Sequence, residues 1–264
     1  MHPAAVYSFE ELLEKEPQVT TQADGVLLTV KQTSITEALA GWIGRRLGAG
    51  VPLVCYQNGI GHTDLLARYV PVSSLLAAVT TEGALRHSMR HVEHTGRGTT
   101  WIGQLESENV DETSILFQKK LQNQLKQAGF DVSLSNQITS KVWNKLLINA
   151  VINPLTAVLQ VSNGTLPELP AALPLMRSLY EEGSSLAEAL GIPLAPDLWE
   201  QLLAVCRLTA NNRSSMLQDV QSRRRTELDA ITGGLLKKAD EAGMQLHAHR
   251  TVYALVRSIE QQWQ

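Results

Sequence analysis

Strand-like apolar runs occupy the first half of this chain and stop at about residue 136, after which every periodic segment reads as helix. That break limits the fold more than any single motif does. Residues 26–30 (Val-Leu-Leu-Thr-Val), 51–56 and 75–79 are short and nearly continuously apolar, as strands of a parallel sheet covered on both faces are. After the first of them, Ile35, Leu39, Trp42, Ile43 and Leu47 fall on one helical face. Residues 90–102 read as a hairpin around Gly96 and Gly98, 112–128 as an amphipathic helix stopped by Gly129, and 132–134 as one more short strand. Strands alternating with helices argue for a parallel α/β sheet. The segments 141–159, 173–190, 197–210, 215–220, 224–242 and 250–262 read as helices, punctuated by Gly191, Pro193, Pro196 and Gly243. The expected architecture is α/β: a parallel-sheet domain over 1–135 followed by an all-helical domain over 136–264, with no internal repeat.

Composition narrows the classes of function. At 264 residues with 44% hydrophobic and 19% charged side chains, the chain can bury a core and is not a disordered protein. Its formal net charge of −3 and the lack of a long basic tract argue against nucleic acid as a partner. Cys55 and Cys206 match no metal or redox spacing, which fits a reducing, cytoplasmic setting and excludes a disulfide scaffold. No apolar run approaches the roughly 20 residues of a membrane helix, and Met1 to Ala5 lack a signal-peptide layout, so a membrane is not expected as a partner either.

Three clusters carry chemistry. Lys31 and Asn58 each stand at the carboxyl end of an expected parallel strand, where open α/β sheets bind ligands; a solvated strand end and a plain Asn-Gly turn are the structural alternatives. Lys145, Asn149 and Asn153 recur every four residues, stacking along one face of an otherwise apolar helix. Asn competes poorly for helix interiors, and buried amides without partners cost several kcal/mol, so this face suits a small polar ligand unless it simply meets solvent. Pro154 is expected to bend or break that helix just past Asn153. The third cluster runs from Asn211 to Asp219, where Ser215 and Gln218 have capping-box spacing. Glu227 falls near the start of the next helix, and Gly233-Gly234 inside it suggests close packing. Neither Gly59-Ile60-Gly61, with Asp64 in the third position, nor Gly96-Arg97-Gly98 completes the dinucleotide fingerprint.

Taken in order, several segments resemble the ketopantoate reductase (2-dehydropantoate 2-reductase) family over about residues 26–260. They are Leu28-Thr29-Val30-Lys31, Gln57-Asn58-Gly59-Ile60-Gly61, His94-Thr95-Gly96-Arg97-Gly98, the run from Trp143 to Ala157, Asn163-Gly164, Ser214 to Asp219 and Thr226-Glu227. The resemblance implies a Rossmann-like cofactor domain, a helical substrate domain, NADPH as cofactor and reduction of a 2-oxo acid in pantothenate biosynthesis. It further implies Lys145 as proton donor to the ketone, and Asn149, Asn153, Asn163, Asn212 and Ser215 as substrate-binding residues. Lys31, Asn58, Ala84 and Glu227 would line the cofactor site, and a homodimer is implied through the helical domain.

The family pattern has a G-x-G-x-x-G strand–helix unit and a second strand before the equivalent of Lys31. Only 30 residues precede Lys31 here, and they contain no such unit. The expectation is an incomplete Rossmann-like domain that binds NADPH poorly and turns over little. A non-catalytic binding protein on the same fold and a reductase of another branched 2-oxo acid are the alternative readings.

Overall fold

The computed structural model describes residues 23–47, 50–88, 90–105 and 112–263. The first 22 residues, which the sequence reading assigns to the α/β domain, lie outside the described residues. The α/β part comprises β1 (Val26–Leu28), α1 (Glu37–Arg46), β2 (Leu53–Cys55), α2 (His62–Leu66), β3 (Leu75–Thr80), β4 (Gly83–Ser88), β5 (His91–Gly96), β6 (Thr99–Gln104), α3 (Glu112–Gln127) and β7 (Asp131–Leu134). Its five-stranded sheet has the order β1-β2-β3-β6-β7, and β4-β5 form a separate two-stranded sheet.

Strands β1, β2 and β3 are parallel, in register Val26↔Leu53 and Leu53↔Leu75, as the continuous apolar runs require. Alternate side chains serve opposite faces. Leu28, Leu53, Cys55 and Leu75 pack with Ala40 and Ile43 of α1, whereas Val54, Leu76, Ala78, Ile102 and Val132 pack with Leu121 of α3.

The hairpin differs from the sequence expectation. It spans Gly83–Gly96, with β4 pairing β5, while β6 leaves it and runs antiparallel to β3 in the main sheet, Ala78 opposite Ile102. Gly98 is the reason for the separation: a side chain there would collide with Thr81, so this close crossing ends one hairpin and starts another pairing.

The helical part comprises α4 (Ile138–Leu159), α5 (Ala172–Ala189), α6 (Leu198–Leu208), α7 (Ser215–Gln221), α8 (Leu228–Glu241) and α9 (His247–Gln261). Helix α4 is its axis. Trp143, Leu146, Leu147 and Ala150 pack against Leu228, Ile231 and Leu235 of α8, and Val151, Ile152 and Leu155 pack against Met176, Leu179 and Leu202. A helix apolar on nearly every side belongs in a core. At 22 residues and a mean hydropathy of 1.3, α4 is also long and apolar enough to cross a bilayer, which corrects the sequence expectation; 61% of that window is buried inside the protein.

Pro154 does not break α4. The helix continues to Leu159, and only the hydrogen bond to the carbonyl four residues earlier is forfeited. Just beyond it, Thr156 Oγ1 donates within the same stretch, lying 2.8 Å from the Ile152 carbonyl and 3.0 Å from that of Asn153.

Candidate active site

Where the carboxyl end of β3 meets α4, a cavity of about 310 Å³ opens between the two parts of the molecule. Lys145, Asn149 and Asn153 line it from α4, so their four-residue spacing does place them on one face of the helix. Asn163, Asn212 and Ser215 enter from the loops of the helical part, and Asn58 from the end of β2. Seven sequence-derived candidates thus meet in one place. Arg213, part of the third sequence cluster, also lines the cavity, as do Glu82, Thr80, Thr81 and Thr209, which were not singled out from sequence. No short-range signal marks them, because Thr80 and Glu82 are brought in by the departure of the β4–β5 hairpin from the sheet.

Several amides here are held ready for a ligand. Asn163 is buried; its Nδ2 donates to Thr209 Oγ1 at 2.9 Å and its backbone N–H to the Asn212 carbonyl at 3.0 Å, while its Oδ1 has no protein partner. A buried acceptor left open is a cost that a hydrogen-bond donor in the cavity removes. The helix start at α7 is one residue earlier than its capping-box spacing suggests. Ser214, not Ser215, is the N-cap: its Oγ accepts from the Leu217 N–H at 3.0 Å and lies 2.7 Å from Thr156 Oγ1. Ser215 is therefore exposed to the cavity with its hydroxyl free of capping duty.

Lys145 Nζ donates to the Thr80 carbonyl at 2.8 Å, tying α4 to the end of β3. Burial pushes its pKa down to about 8, with the Glu227 carboxylate pulling the other way. Glu227 is buried, and its Oε2 accepts from Asn58 Nδ2 at 3.3 Å. Lys145 and Asn58 thus form the edge of the cavity nearest the sheet, while Glu227 is hydrogen-bonded to Asn58 and does not itself line the cavity.

Two candidates sit elsewhere. Lys31 pairs with Asp219 of α7, Nζ lying 2.8 and 2.7 Å from its two carboxylate oxygens, and Arg224 Nε reaches the same carboxylate at 3.1 Å. In this geometry Lys31 joins the two parts of the molecule instead of pointing a free ammonium into the cavity. Ala84 is exposed on β4, two residues beyond Glu82, and does not line the cavity.

The Gly59-Ile60-Gly61 turn has another employment. A side chain at Gly59 would stand 2.4 Å from the Ala230 carbonyl, one at Gly234 would stand 2.7 Å from Ile60 Cγ1, and the Ile60 N–H donates to that Ala230 carbonyl at 3.0 Å. The glycines let this turn lie directly on α8, which gives Gly59 and Gly234 a packing role. The polar edge at Asn58 and Lys145 suits the nicotinamide end of a dinucleotide. Among the described residues nothing cradles its phosphates.

Comparisons with known proteins agree with this layout. Residues 3–107 match the family described as "Ketopantoate reductase PanE/ApbA", and residues 137–260 match "Ketopantoate reductase PanE/ApbA C terminal". The chain is 34% identical to a 2-dehydropantoate 2-reductase from Archaeoglobus fulgidus over 239 residues, covering 90% of this chain and 77% of that protein. It is 32% identical to that of Bacillus subtilis (strain 168), covering 93% and 78%. The crystal structure of a PanE/ApbA family ketopantoate reductase from Ralstonia eutropha JMP134 superposes with a TM-score of 0.80 at 28% identity, over 92% of this chain and 77% of that one. D-mandelate dehydrogenase, solved with NADH, shares the fold at a TM-score of 0.81 and 24% identity, over 91% of this chain and 77% of that one. The chain belongs to the ketopantoate reductase family of nicotinamide-dependent oxidoreductases.

Proposed function

We propose that this chain reduces 2-dehydropantoate to pantoate with NADPH, and that Lys145 is the acid that protonates the ketone oxygen. The observation that carries the reading is the position of Lys145: a partly desolvated ammonium at the wall of a cavity lined mainly by amides and hydroxyls, with Glu82 and Arg213 as its other charged groups. The cofactor, when bound, supplies the hydride. The residues of the chain supply the rest. Lys145 Nζ donates to the ketone oxygen, stabilises negative charge as it develops and delivers the proton. Asn149, Asn153 and Asn163 bind the polar groups of the substrate, and the Ser215 hydroxyl donates to its carboxylate. Asn212, whose carbonyl accepts from Asn163, holds that amide in place. Glu227 keeps Asn58 oriented at the sheet edge and favours the charged form of Lys145.

Self-association as a homodimer and a cytoplasmic setting, where the two free, buried cysteines stay reduced, belong to the same proposal. Calorimetric titration with 2-dehydropantoate and with NADPH, followed by turnover assays, tests it. The expected result is substrate binding that Lys145→Ala weakens, and turnover that Lys145→Ala abolishes. Near-native turnover by Lys145→Ala would overturn the assignment. Sedimentation reads the dimer.

A further inference from the structure

Lys145 is approached from two sides. Its front is the cavity already described. Behind it a narrow cavity of about 20 Å³ is bounded by Gln57, Asn58, Gly59, Val142 and Lys145 itself. That volume exceeds the roughly 10–15 Å³ one water molecule needs. A third cavity of about 340 Å³ lies farther back, between the sheet and α4, and shares Gln57, Gly59 and Val142 with the narrow one. The front and narrow cavities share Asn58 and Lys145. The three therefore adjoin through shared lining residues, with Lys145 common to the first two.

Gln57 is built for this junction. Its Nε2 donates to the carbonyls of Leu28 and Val30, each at 2.8 Å, so the amide can face only one way. Its Oε1 is left buried with no protein partner. Lys145 Nζ has three protons to donate and meets one protein acceptor, the Thr80 carbonyl. A water between them can accept from Lys145 and donate to Gln57 Oε1, meeting the needs of both groups at once. In the rear cavity His62 has an unpartnered Nδ1, and its surroundings hold the ring neutral.

We propose that Gln57 holds a water molecule against the rear of Lys145, and that this water returns a proton to Lys145 after each turnover. The inference rests on Lys145 being the acid of the reaction. Its ammonium gives one proton to the substrate oxygen and becomes an amine. The water passes one of its protons to that nitrogen while taking another from water in the rear cavity. One proton from bulk solvent is consumed per ketone reduced, and the relay moves no electrons. The route leaves the front cavity to substrate and product. Gln57 is a positioning residue here, acting through the water.

Two variants test it. Gln57→Leu removes the acceptor, and Val142→Phe plugs the passage without altering any hydrogen bond of Gln57. At neutral pH Lys145 starts protonated, so both variants are expected to keep the first turnover and to slow the steady state at least about tenfold. Small imidazole buffers should restore Gln57→Leu. Equal slowing of first and later turnovers, or an unchanged steady state, would overturn the relay. A crystal structure gives a readout independent of activity: a water within hydrogen-bonding distance of both Gln57 Oε1 and Lys145 Nζ is expected, and its absence rejects the site. If the wild-type chain shows no turnover, the functional reading fails while the water site is still decided by the crystal.

Discussion

An ammonium with a pKa near 8 is charged at neutral pH yet parts with its proton far more readily than an exposed lysine, which is what a general acid at Lys145 requires. Accordingly kcat/KM should be level near neutrality and fall tenfold per pH unit above about 8, measured across a pH series. Stability moves the other way. Because the folded pKa lies below the ordinary value of 10.5, the unfolded chain binds the extra proton between the two, so the burden on the fold is complete below about pH 8 and disappears as pH rises to 10.5. Lys145→Met should therefore raise stability at pH 7 by about 2 kcal/mol, allowing for its partial exposure, while removing turnover; a lowered unfolding midpoint would contradict this. His62 shows the same sign in an acid range. Burial lowers its pKa from 6.5 to about 4, so the unfolded chain protonates first as pH falls and stability is lost between those values. His62→Phe should lose about 2 kcal/mol less than wild type between pH 7 and pH 5 in urea titrations. At this scale the sequence was informative wherever spacing is local: Lys145, Asn149 and Asn153 reveal themselves by helical period alone. Asp219 could not be matched to Lys31, because 188 residues separate them and only the folded chain brings them together.

Among the elements, α7 shows how one residue of register separates structure from function. Ser214 caps the helix and Ser215 faces the cavity. Ser214→Ala should cost about 1–2 kcal/mol, since it removes a cap and leaves Thr156 short of a partner. Ser215→Ala should change stability by less than about 0.5 kcal/mol and instead weaken substrate binding, a contrast read by thermal unfolding set beside calorimetry. Spacing alone favoured Ser215 as the cap because Gln218 lies three residues on; in the fold Gln218 Nε2 turns back to the Arg213 carbonyl at 2.9 Å. Helix α4 is the complementary lesson. Its period was plain in the sequence, but its tolerance of Pro154 was not, since that depends on the packing of Val151, Ile152 and Leu155 against neighbouring helices.

Across the whole molecule, the α/β and helical parts are clasped by contacts from turns of the former, Lys31 to Asp219 and the Ile60 N–H to the Ala230 carbonyl, while Gln32 Nε2 braces the second turn from within the α/β part by donating to the Ile60 carbonyl at 2.9 Å. Gly59, from what looked like a failed phosphate loop, and Gly234, from what looked like a helix-packing pair, are the two halves of this clasp. The fold class was legible because continuous apolar runs demand a covered parallel sheet. The position of β6 was not, since its pairing with β3 skips over the intervening hairpin.

That skip has a consequence for how such a protein can diversify. Strands β3 and β6 hold each other directly, and at their ends the Thr81 N–H donates to the Thr99 carbonyl at 3.0 Å. The excursion between them, from Glu82 to Gly98, contributes nothing to the main sheet yet delivers Glu82 to the cavity wall. Replacing it with a two-residue Asn-Gly turn should leave circular dichroism and the unfolding midpoint nearly unchanged while altering which 2-oxo acids bind. That outcome would place part of the substrate preference on an exchangeable insert, free to vary in length and chemistry without renegotiating the core.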